Sequence, residues 1–416
     1  MQTSRYRLLQ IYGRAATLSL LSQGLSALAI IQIALKDTSL SDHYAQGLVT
    51  GTASFNGLVI GIFYLIAVGR PDFKEWDKAK YLVLTGSIVI TIISIALDGQ
   101  ARSQDVSNAT NEFWVTLIFG VGGGFLAMAG VEGVRAACLG IPRPLITVAL
   151  WANAALAGAA LLLLVISQTD TPLDLLPALA WSAANIANWF QISKASKTLH
   201  YEQLTATTTG APKGSRLQIL GLVIGGGVSA VSPLAYLRAV GQIGGGSASA
   251  IFLISRVGAA FINTTINAAL TAKYNWSKKH ENIGIIPSLC VLLSSIAGLA
   301  ALISHHQYRV DTHVSYGFVL AAWLFSSIGP PFLVREVNHR ALGGTVFLKS
   351  FADAICTTLM VLFLFVHPSI AGFFAATSFS QSLSCFINSL SMRQYTVASS
   401  SFFALCVFLA ALLFGW

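Results

Sequence analysis

Arg256 is the residue whose type and position most directly suggest chemistry, because it places a permanent charge inside a long apolar run. The surrounding segment, residues 238–274, reads RAVGQIGGGSASAIFLISRVGAAFINTTINAALTAKY. If a membrane helix begins near Gly245, Arg256 lies about 16 Å along it at ~1.5 Å per residue, close to the middle of a ~30 Å hydrocarbon core. A charge at that depth costs between ~2.5 and more than ~10 kcal/mol unless it faces water or a partner. We therefore predict that Arg256 faces a polar cavity and binds an anion such as phosphate, which a guanidinium can grip with two N–H groups. The structural alternative is an ion pair with a carboxylate that joins two helices.

Lys349 and Asp353 form the next candidate pair, since residues four apart share one face of a helix. Counted from a cytoplasmic end near Gly344 at ~1.5 Å per residue, they lie about 8 Å and about 14 Å into the span. One interpretation is a structural ion pair that neutralises itself. The alternative is that Asp353 binds a coupling proton or sodium ion, or pairs with Arg256 when the cavity is empty.

Charged residues also stand near the inner ends of two apolar spans. Glu132 and Arg135 lie one turn apart in the fourth span, and Arg335 and Glu336 occupy the corresponding end of the tenth. Each pair is explained either by its place among the lipid headgroups or by a cytoplasmic gate that cross-half ion pairs close. Arg14, in the first span, belongs either to the cavity or to the inner interface.

Asparagines interrupt several apolar spans, and interhelical hydrogen bonding is the default role of such residues. Some are candidates to line a sugar-binding cavity, Asn56 and Asn263 among them. The set comprises Asn56, Asn153, Asn185, Asn188, Asn263, Asn267 and Asn388. His43, with Asp42 and Tyr44, falls in the predicted first outer loop and is expected to be solvated.

Motifs of known enzymes are missing from the sequence. It contains no HExxH zinc motif, nucleotide-phosphate loop, catalytic triad or haem motif. The five cysteines are scattered along apolar segments without metal-ligand spacing, so free thiols packed as small hydrophobic groups are predicted. We expect no resident cofactor or metal and no enzymatic activity; a membrane-embedded glycan polymerase or ligase would need a sizeable outer loop, which the chain lacks.

Membrane helices must position these side chains, because the 416-residue chain is 55% hydrophobic and only 10% charged, against roughly 25% charged residues in soluble domains. The first apolar run is long enough to span, so no cleavable signal peptide is predicted. Apolar spans are predicted at 13–35, 45–69, 81–97, 113–139, 145–167, 173–193, 216–240, 245–272, 283–303, 313–334, 344–366, 369–391 and 395–416.

The predicted fold is all-α and polytopic, with about 12–13 transmembrane helices arranged as two six-helix lobes around a central cavity. Residues 1–194 would form the N-terminal lobe, 195–215 a cytoplasmic linker, and 216–393 the C-terminal lobe. Residues 394–416 would add an extra helix. A monomer is favoured.

The distribution of basic residues predicts the orientation. With the N-terminus in the cytoplasm, the inner segments carry most of the lysines and arginines, whereas the outer ones carry only Lys36, Arg102, Arg238 and Arg309. This topology accounts for the net charge of +9 without a nucleic-acid partner.

The two halves of the sequence look related. Gly51-Thr52-Ala53-Ser54 opens the second span, and Gly246-Ser247-Ala248-Ser249 opens the eighth. Six spans separate the two stretches, so both copies would have the same orientation in the membrane, related by an axis along its normal. Glycines at 225–227, followed by Pro233, suggest either close helix packing or a point at which the seventh span flexes.

Around the eighth span the chain resembles lipid II flippases of the MviN/MurJ type. The resemblance rests on Gly246-Ser247-Ala248-Ser249-Ala250 followed by Ser255-Arg256, within residues 219–277. The stretch from Asp42 to Asn56 is similar, more loosely, to those proteins and to Wzx-type polysaccharide flippases. All belong to the multidrug/oligosaccharidyl-lipid/polysaccharide (MOP) exporter superfamily. The motif-level match covers about a sixth of the chain, while the helix organisation covers most of it.

This resemblance implies a MATE-like fold in a bacterial cytoplasmic membrane and alternating access for a lipid-linked sugar, with Arg256 contacting its diphosphate. The chain departs from the family in having fewer helices and fewer cavity arginines, and Gly61 stands at the first-half position that matches Arg256. These departures argue against lipid II itself and leave another polyprenyl-linked glycan, or an unrelated substrate, open. The expectation is a flippase for a polyprenyl-diphosphate-linked oligosaccharide or another amphipathic anion, driven by a coupling proton or sodium ion. The alternative is a cation-coupled exporter of small or drug-like molecules.

Overall fold

The computed structural model describes residues 2–59, 73–101, 106–138, 147–166, 173–197, 216–262, 285–307, 312–339 and 342–414. Helices are the only regular secondary structure in these ranges. The helices of the first half are α1 (Gln2–Lys36), α2 (Thr38–Ser54), α3 (Phe73–Ala101), α4 (Val106–Cys138), α5 (Leu150–Ile166) and α6 (Leu176–Lys197). A π-helical segment, Phe55–Val59, continues α2, and a 3-10 turn, Leu173–Leu175, precedes α6.

The second half begins with two helices joined by a glycine-rich turn, α7 (Arg216–Gly241) and α8 (Ser247–Ile262). They are followed by α9 (Ile285–Gln307), α10 (Thr312–Ser326), α11 (Gly329–His339), α12 (Gly343–Val366), α13 (Ile370–Ser391) and α14 (Tyr395–Phe414).

The predicted class, an all-α polytopic membrane protein, is confirmed. In the described part of the chain, nine helical segments are long and apolar enough to cross a membrane, and α5 and α8 are shorter apolar helices. Large apolar side chains cover the outer surface; Ile285, Val366 and Val165 are each at least 69% exposed. Such a surface is stable against lipid tails but not against water.

Two predicted segments begin or break at positions that the sequence analysis did not give. Helix α2 starts at Thr38 because Asp37 caps it, its Oδ1 accepting the Ser39 N–H at 2.7 Å and the Leu40 N–H at 3.2 Å. The prediction of a solvated loop at residues 42–44 is wrong, since this stretch is helical and largely buried. The span predicted at 313–334 breaks after Ser326, where Pro330 and Pro331 follow and have no N–H for a regular helix.

Contacts between residues divide the chain into two compact units. Unit 1 comprises Met1–Lys213 and Ser229–Ala268, and unit 2 comprises Gly214–Val228 and Ala269–Trp416. The end of α7 and all of α8 are therefore grouped with the first half, whereas the sequence analysis placed 216–393 in one lobe. That lobe, the linker and the extra helix stay predictions.

Close helix contacts inside unit 1 depend on glycine. A Cβ added at Gly123 of α4 would collide with the Gly51 carbonyl oxygen of α2, so the two backbones touch there. A Cβ at Gly122 would collide with Ser182 of α6. Without a hydrophobic drive between helices in lipid, such close approach is a main source of packing energy, and it fixes α2 beside α4.

Unit 2 contains its own packed core. Helix α9 packs against α10 and α14, while α13 packs against α12 and α14. The core includes Val291, Leu333, Val346, Cys385 and Phe408, all buried. The first part of α7 joins this unit, because a Cβ at Gly221 would meet the Phe347 backbone nitrogen at 2.6 Å.

Candidate substrate-binding site

Arg256 lies on α8, nine residues after its first residue, or about 14 Å along the helix at ~1.5 Å per residue. Its Nη1 donates a hydrogen bond of 2.8 Å to Oε1 of Gln23 on α1. Its Cζ lies 4.5 Å from the centre of the Phe252 ring, one turn earlier on the same helix. Both contacts favour a cation, the first by an oriented dipole and the second by the electron-rich ring face.

Neither contact cancels the charge of Arg256. No carboxylate among the described residues lies within ion-pair distance of its guanidinium. A hydrogen bond to the charged group contributes ~1.5–3 kcal/mol and a cation–π contact ~0.5–2 kcal/mol, whereas burial in a membrane costs from ~2.5 to above ~10 kcal/mol. The arrangement holds the guanidinium in place but leaves capacity for an anion.

Helix α8 is anchored to α2 at its N-terminus, which fixes the base from which Arg256 projects. The two carboxylate oxygens of Asp42 accept the Gly246 N–H at 2.7 Å and the Ser249 N–H at 2.8 Å. Ser41 and Ser249 share a further hydroxyl contact of 2.7 Å. The carboxylate thus satisfies free N–H groups at the positive end of the helix dipole. Gly246, with φ of +89°, makes the turn that brings these groups toward Asp42.

A second buried arginine of unit 1, Arg238, is paired with a carboxylate. Its Nη1 lies 2.7 Å from Oε1 of Glu112, and the two side chains are only 8% and 11% exposed. The other carboxylate oxygen, Oε2, lies 3.7 Å from Nδ1 of His43. Helices α2, α4 and α7 therefore meet at one ionic cluster.

The predicted gate residues of the first half form a third ionic group. Lys80 Nζ lies 2.6 Å from Oε1 of Glu132, and Arg135 Nη1 lies 3.4 Å from Oε2. Glu132 is 1% exposed, so this group joins α3 to α4 inside the protein. Among the second-half candidates, Glu336 is fully buried, and the Arg335 side chain lies outside the described ones.

Lys349 and Asp353 form an ion pair within α12, with Nζ and Oδ2 2.7 Å apart. The remaining carboxylate oxygen, Oδ1, is buried and has no hydrogen-bond partner among the described residues. The pair is the self-neutralising arrangement that the sequence suggested. Its second oxygen is nevertheless a poor fit to a purely structural role, because a buried carboxylate is normally satisfied at both oxygens.

The other sequence candidates are scattered. Arg14 is exposed on α1 and Asn56 is exposed in the π-helical segment. Asn263 and Asn267 lie outside the described residues. Asn153 is structural: it donates to the Ser22 carbonyl at 3.0 Å and accepts from Trp181 Nε1 at 3.1 Å. The structure therefore brings no other predicted substrate-binding residue to Arg256 in the described part.

Three residues that define this arrangement were not among those predicted from the sequence: Gln23, Asp42 and Glu112. Gln23 carried a signal, since it is a polar side chain within the apolar run of the first span. Asp42 and Glu112 were placed outside or at the edge of the predicted spans, where charged residues are ordinary. No group of histidine, cysteine, aspartate and glutamate in the described ranges is arranged to hold a metal ion.

Comparisons with known proteins give a fold likeness and nothing more specific. No protein-family model matches the chain, and no curated protein matches it. It is similar to a multidrug resistance MATE family transporter of the MOP superfamily in its outward-facing conformation, with 16% identity over 94% of each chain and a TM-score of 0.42. The inward-facing conformation of such a transporter gives 13% identity over 94% of each chain and a TM-score of 0.40.

A MOP superfamily transporter from Pyrococcus furiosus Vc1 gives 14% identity over 94% of each chain and a TM-score of 0.38. These similar structures are thus transporters of the superfamily that the sequence resembles.

Proposed function

We propose that the protein is an alternating-access flippase, which moves a polyprenyl-diphosphate-linked oligosaccharide across the cytoplasmic membrane. One observation carries the proposal: in a membrane helix, Arg256 is held by the neutral groups of Gln23 and Phe252, without a carboxylate in the described residues. A guanidinium left in this state binds an anion more strongly than one already paired, because no internal ion pair has to be broken first.

The diphosphate of a lipid-linked sugar fits this group in charge and shape. A guanidinium presents parallel N–H groups that match two phosphate oxygens, and Nη1 alone is engaged by Gln23. Polyprenyl chains are apolar and would stay among lipid tails while the polar head crosses. Arg256 would then act as the residue that binds the head group during its passage, with no chemical step.

The test uses the purified chain in liposomes with a fluorescently labelled polyprenyl-diphosphate-linked N-acetylglucosamine as the probe. Label that has moved to the inner leaflet is protected from a membrane-impermeant quencher. We expect Arg256→Ala to abolish protection of the diphosphate probe, with protein yield and thermal stability close to wild type. The same label on an uncharged polyprenyl alcohol should not be translocated by either protein.

Arg393→Ala is the matched control, since Arg393 is exposed in the turn between α13 and α14. It should translocate the probe at the wild-type rate. Full translocation by Arg256→Ala at normal yield would remove Arg256 from the mechanism. Failure of the wild-type protein to translocate the diphosphate probe would remove the flippase proposal itself.

The second candidate is a cation-coupled exporter of small molecules, and the buried free oxygen of Asp353 favours it. Binding a proton there would release Lys349, and binding sodium would use the unpartnered oxygen directly. In this case the same liposomes would accumulate a cationic dye such as ethidium when a pH or sodium gradient is imposed. Asp353→Asn would remove the dependence on the gradient, while Arg256→Ala would have little effect.

A further inference from the structure

We propose that unit 1 contains an internal water site at Asn185 and Trp189 of α6, which extends to Ser54 at the end of α2. The ligand of this site is water rather than a metal ion or an anion. The proposal involves none of the residues that carry the proposed function, and it is tested without any transported substrate.

Asn185 gives the clearest indication of a ligand, because its side chain is fully buried and neither polar atom of its amide has a hydrogen-bond partner among the described residues. Burying an amide is costly unless it is hydrogen-bonded, and most buried polar side chains are bonded to protein or to ordered water. Lipid tails offer no hydrogen bonds either. The amide of Asn185 therefore requires a partner that the described helices do not supply.

A second buried donor lies on the same face of α6, one turn further along. Nε1 of Trp189 is buried and has no hydrogen-bond partner among the described residues, and residues four apart in a helix share one face. The indole ring packs against Phe125 of α4, with the ring centres 5.4 Å apart. One face of α6 thus presents an amide and an indole N–H that both require a partner.

Neighbouring polar side chains of α6 are bonded to the protein, which sets Asn185 and Trp189 apart. Trp181, one turn before Asn185, donates its Nε1–H to Oδ1 of Asn153 at 3.1 Å. Asn188 donates an amide N–H to the Val148 carbonyl at 2.7 Å. The unpartnered groups are therefore confined to one part of the helix, and they do not reflect a general lack of polar contacts along α6.

Helices α2, α4 and α6 run parallel, because the residue numbers of successive contacts rise together on all three. These contacts are Gly47 with Phe119 and Phe55 with Gly130 between α2 and α4, and Phe119 with Trp181 and Phe125 with Trp189 between α4 and α6. Gly51 of α2 and Ser182 of α6 both touch the glycines at 122–123 of α4. Ser54 and Asn185 are each three residues further along, about 4.5 Å at ~1.5 Å per residue. The two side chains therefore belong to the same level of unit 1.

Ser54 adds a third unpartnered group at this level. Its Oγ is buried and has no hydrogen-bond partner among the described residues, although a serine in a helix can donate to the carbonyl four residues earlier, as Ser401 does to Val397. Ser54 is also the last residue of α2 before the π-helical segment Phe55–Val59. Such π-helical turns are frequent at functional sites, so an irregular backbone and an unpartnered hydroxyl coincide at this end of α2.

The donors and acceptors of the three side chains fit water better than an ion. The Asn185 amide offers N–H donors and an acceptor oxygen, Trp189 offers only a donor, and the Ser54 hydroxyl can donate or accept. A metal ion would bind the oxygens and leave the N–H groups unsatisfied, whereas an anion would leave the amide oxygen unsatisfied. A water molecule donates and accepts at once, and a buried water typically makes about three hydrogen bonds.

The experiment detects bound water by X-ray radiolysis of the full-length protein in detergent, followed by mass spectrometry. Hydroxyl radicals formed from a bound water oxidise the side chains beside it, whereas radicals from bulk water are removed by an added scavenger. With scavenger present, we expect the Trp189 indole to be oxidised several times faster than that of Trp181. Trp181 is the internal control, because it is buried on the same helix and its Nε1–H is bonded to Asn153.

Two variants test whether Asn185 holds the water. Asn185→Leu keeps much of the side-chain volume but removes both polar atoms, so the oxidation rate of Trp189 should fall to that of Trp181. Asn188→Leu is the matched control: Asn188 precedes Trp189 directly, but its amide is bonded to the Val148 carbonyl, so the Trp189 rate should stay at the wild-type value. An unchanged Trp189 rate in Asn185→Leu would overturn the site.

Other outcomes test the site without relying on the folding of Asn185→Leu. Equal oxidation of Trp189 and Trp181 in the wild type would overturn the water site without any variant. Ser54→Ala should also slow the oxidation of Trp189, and an unchanged rate would overturn the extension of the site to α2. If sodium, compared with choline at the same ionic strength, raised the melting temperature of the wild type but not of Asn185→Leu, the ligand would be a cation and not water.

Discussion

Arg238 and Arg256 lie eighteen positions apart in unit 1, and their positive charges are stabilised by different kinds of partner. Arg238 is bound to Glu112 at 2.7 Å and is enclosed between three helices. Arg256 has a neutral amide at 2.8 Å and an aromatic face at 4.5 Å. Both guanidiniums are held by oriented contacts, but only the first has its charge compensated by an acidic residue in the described structure.

The difference separates two uses of a buried charge. An arginine that is paired with a carboxylate on another helix joins the two helices, and removing the arginine leaves a buried carboxylate without its ion-pair partner. An arginine with neutral partners joins helices only weakly, and its positive electrostatic potential can attract an anionic ligand. In unit 2, Lys349 is also paired with a carboxylate, that of Asp353 one turn further along the same helix. Arg256 is therefore the candidate for substrate contact.

The largest effect is expected when each arginine is replaced by methionine, which keeps much of the side-chain volume. Arg238→Met removes the guanidinium that pairs with the buried Glu112 carboxylate and should destabilise the protein by about 3–5 kcal/mol. Arg256→Met leaves no described carboxylate without a partner, so its free energy of unfolding should stay within about 1 kcal/mol of wild type. Melting temperature in detergent and the fraction of monodisperse protein measure both.

Equal losses of stability in Arg238→Met and Arg256→Met would contradict this difference between the two arginines. In that case Arg256 would have a compensating partner, and its neutral surroundings would not distinguish it. A Glu112→Leu change added to Arg238→Met provides the internal control. It removes the stranded carboxylate and should recover most of the lost stability, because a buried ion pair can often be replaced by apolar side chains.

Much of this contrast could be anticipated from sequence, but not the pairing itself. A charge inside an apolar run identifies Arg256 as costly, and spacing of four residues identifies Lys349 and Asp353 as neighbours. Both inferences need only local geometry. The bond between Arg238 and Glu112 joins positions 126 apart, and that between Arg256 and Gln23 joins positions 233 apart. Periodicity shows which face of a helix is polar but not which helix lies opposite.

The predicted ends of the membrane spans are less accurate than the helical class, because helix ends depend on contacts that the sequence pattern does not show. The helical class followed from composition, and most spans fall on observed helices. The start of α2 was missed because polar residues at 37–43 resemble a loop in hydropathy. The burial of residues 40–42 depends on contacts of α2 with α4 and α8, which are distant in the sequence. The break after Ser326 was also missed. Pro330 and Pro331 are compatible with a break, but a proline pair in a membrane span is also compatible with a kinked continuous helix.

A smaller effect is expected at the anchor of α8. Asp42→Asn keeps one acceptor oxygen but loses the negative charge at the helix N-terminus, which should cost about 1–2 kcal/mol. Because Arg256 projects from the same helix, translocation of the diphosphate probe should fall more than the melting temperature suggests. Asp37→Asn is the matched control, since Asp37 caps α2 in an exposed position; equal losses of translocation in the two variants would contradict a special role for the Asp42 anchor.

Arg256→Lys should have a still smaller effect, because it keeps the charge and loses only the planar donor geometry. If the substrate is a diphosphate bound by two N–H groups, translocation of the diphosphate probe should fall about tenfold, equivalent to about 1.4 kcal/mol. The matching polyprenyl-monophosphate probe should be less affected. Wild-type rates for both probes in the lysine variant would show that the site requires a positive charge but not the two parallel N–H donors of a guanidinium.

The finest distinction concerns Gln23, which orients the guanidinium of Arg256 without neutralising it. Gln23→Leu removes the hydrogen bond that orients the guanidinium but keeps its charge and its N–H donors, so the rate of probe translocation should fall about fivefold, equivalent to about 1 kcal/mol, while the melting temperature changes little. Gln32→Leu is the matched control: Gln32 lies on the same helix, is buried, and its Oε1 has no described partner.

If Gln23 served only to join α1 to α8, its loss would lower stability and leave the rate per folded molecule unchanged. A lower rate at unchanged stability is expected only if the direction in which Arg256 points matters to the substrate. That result would place the function in the orientation of this guanidinium as well as in its charge.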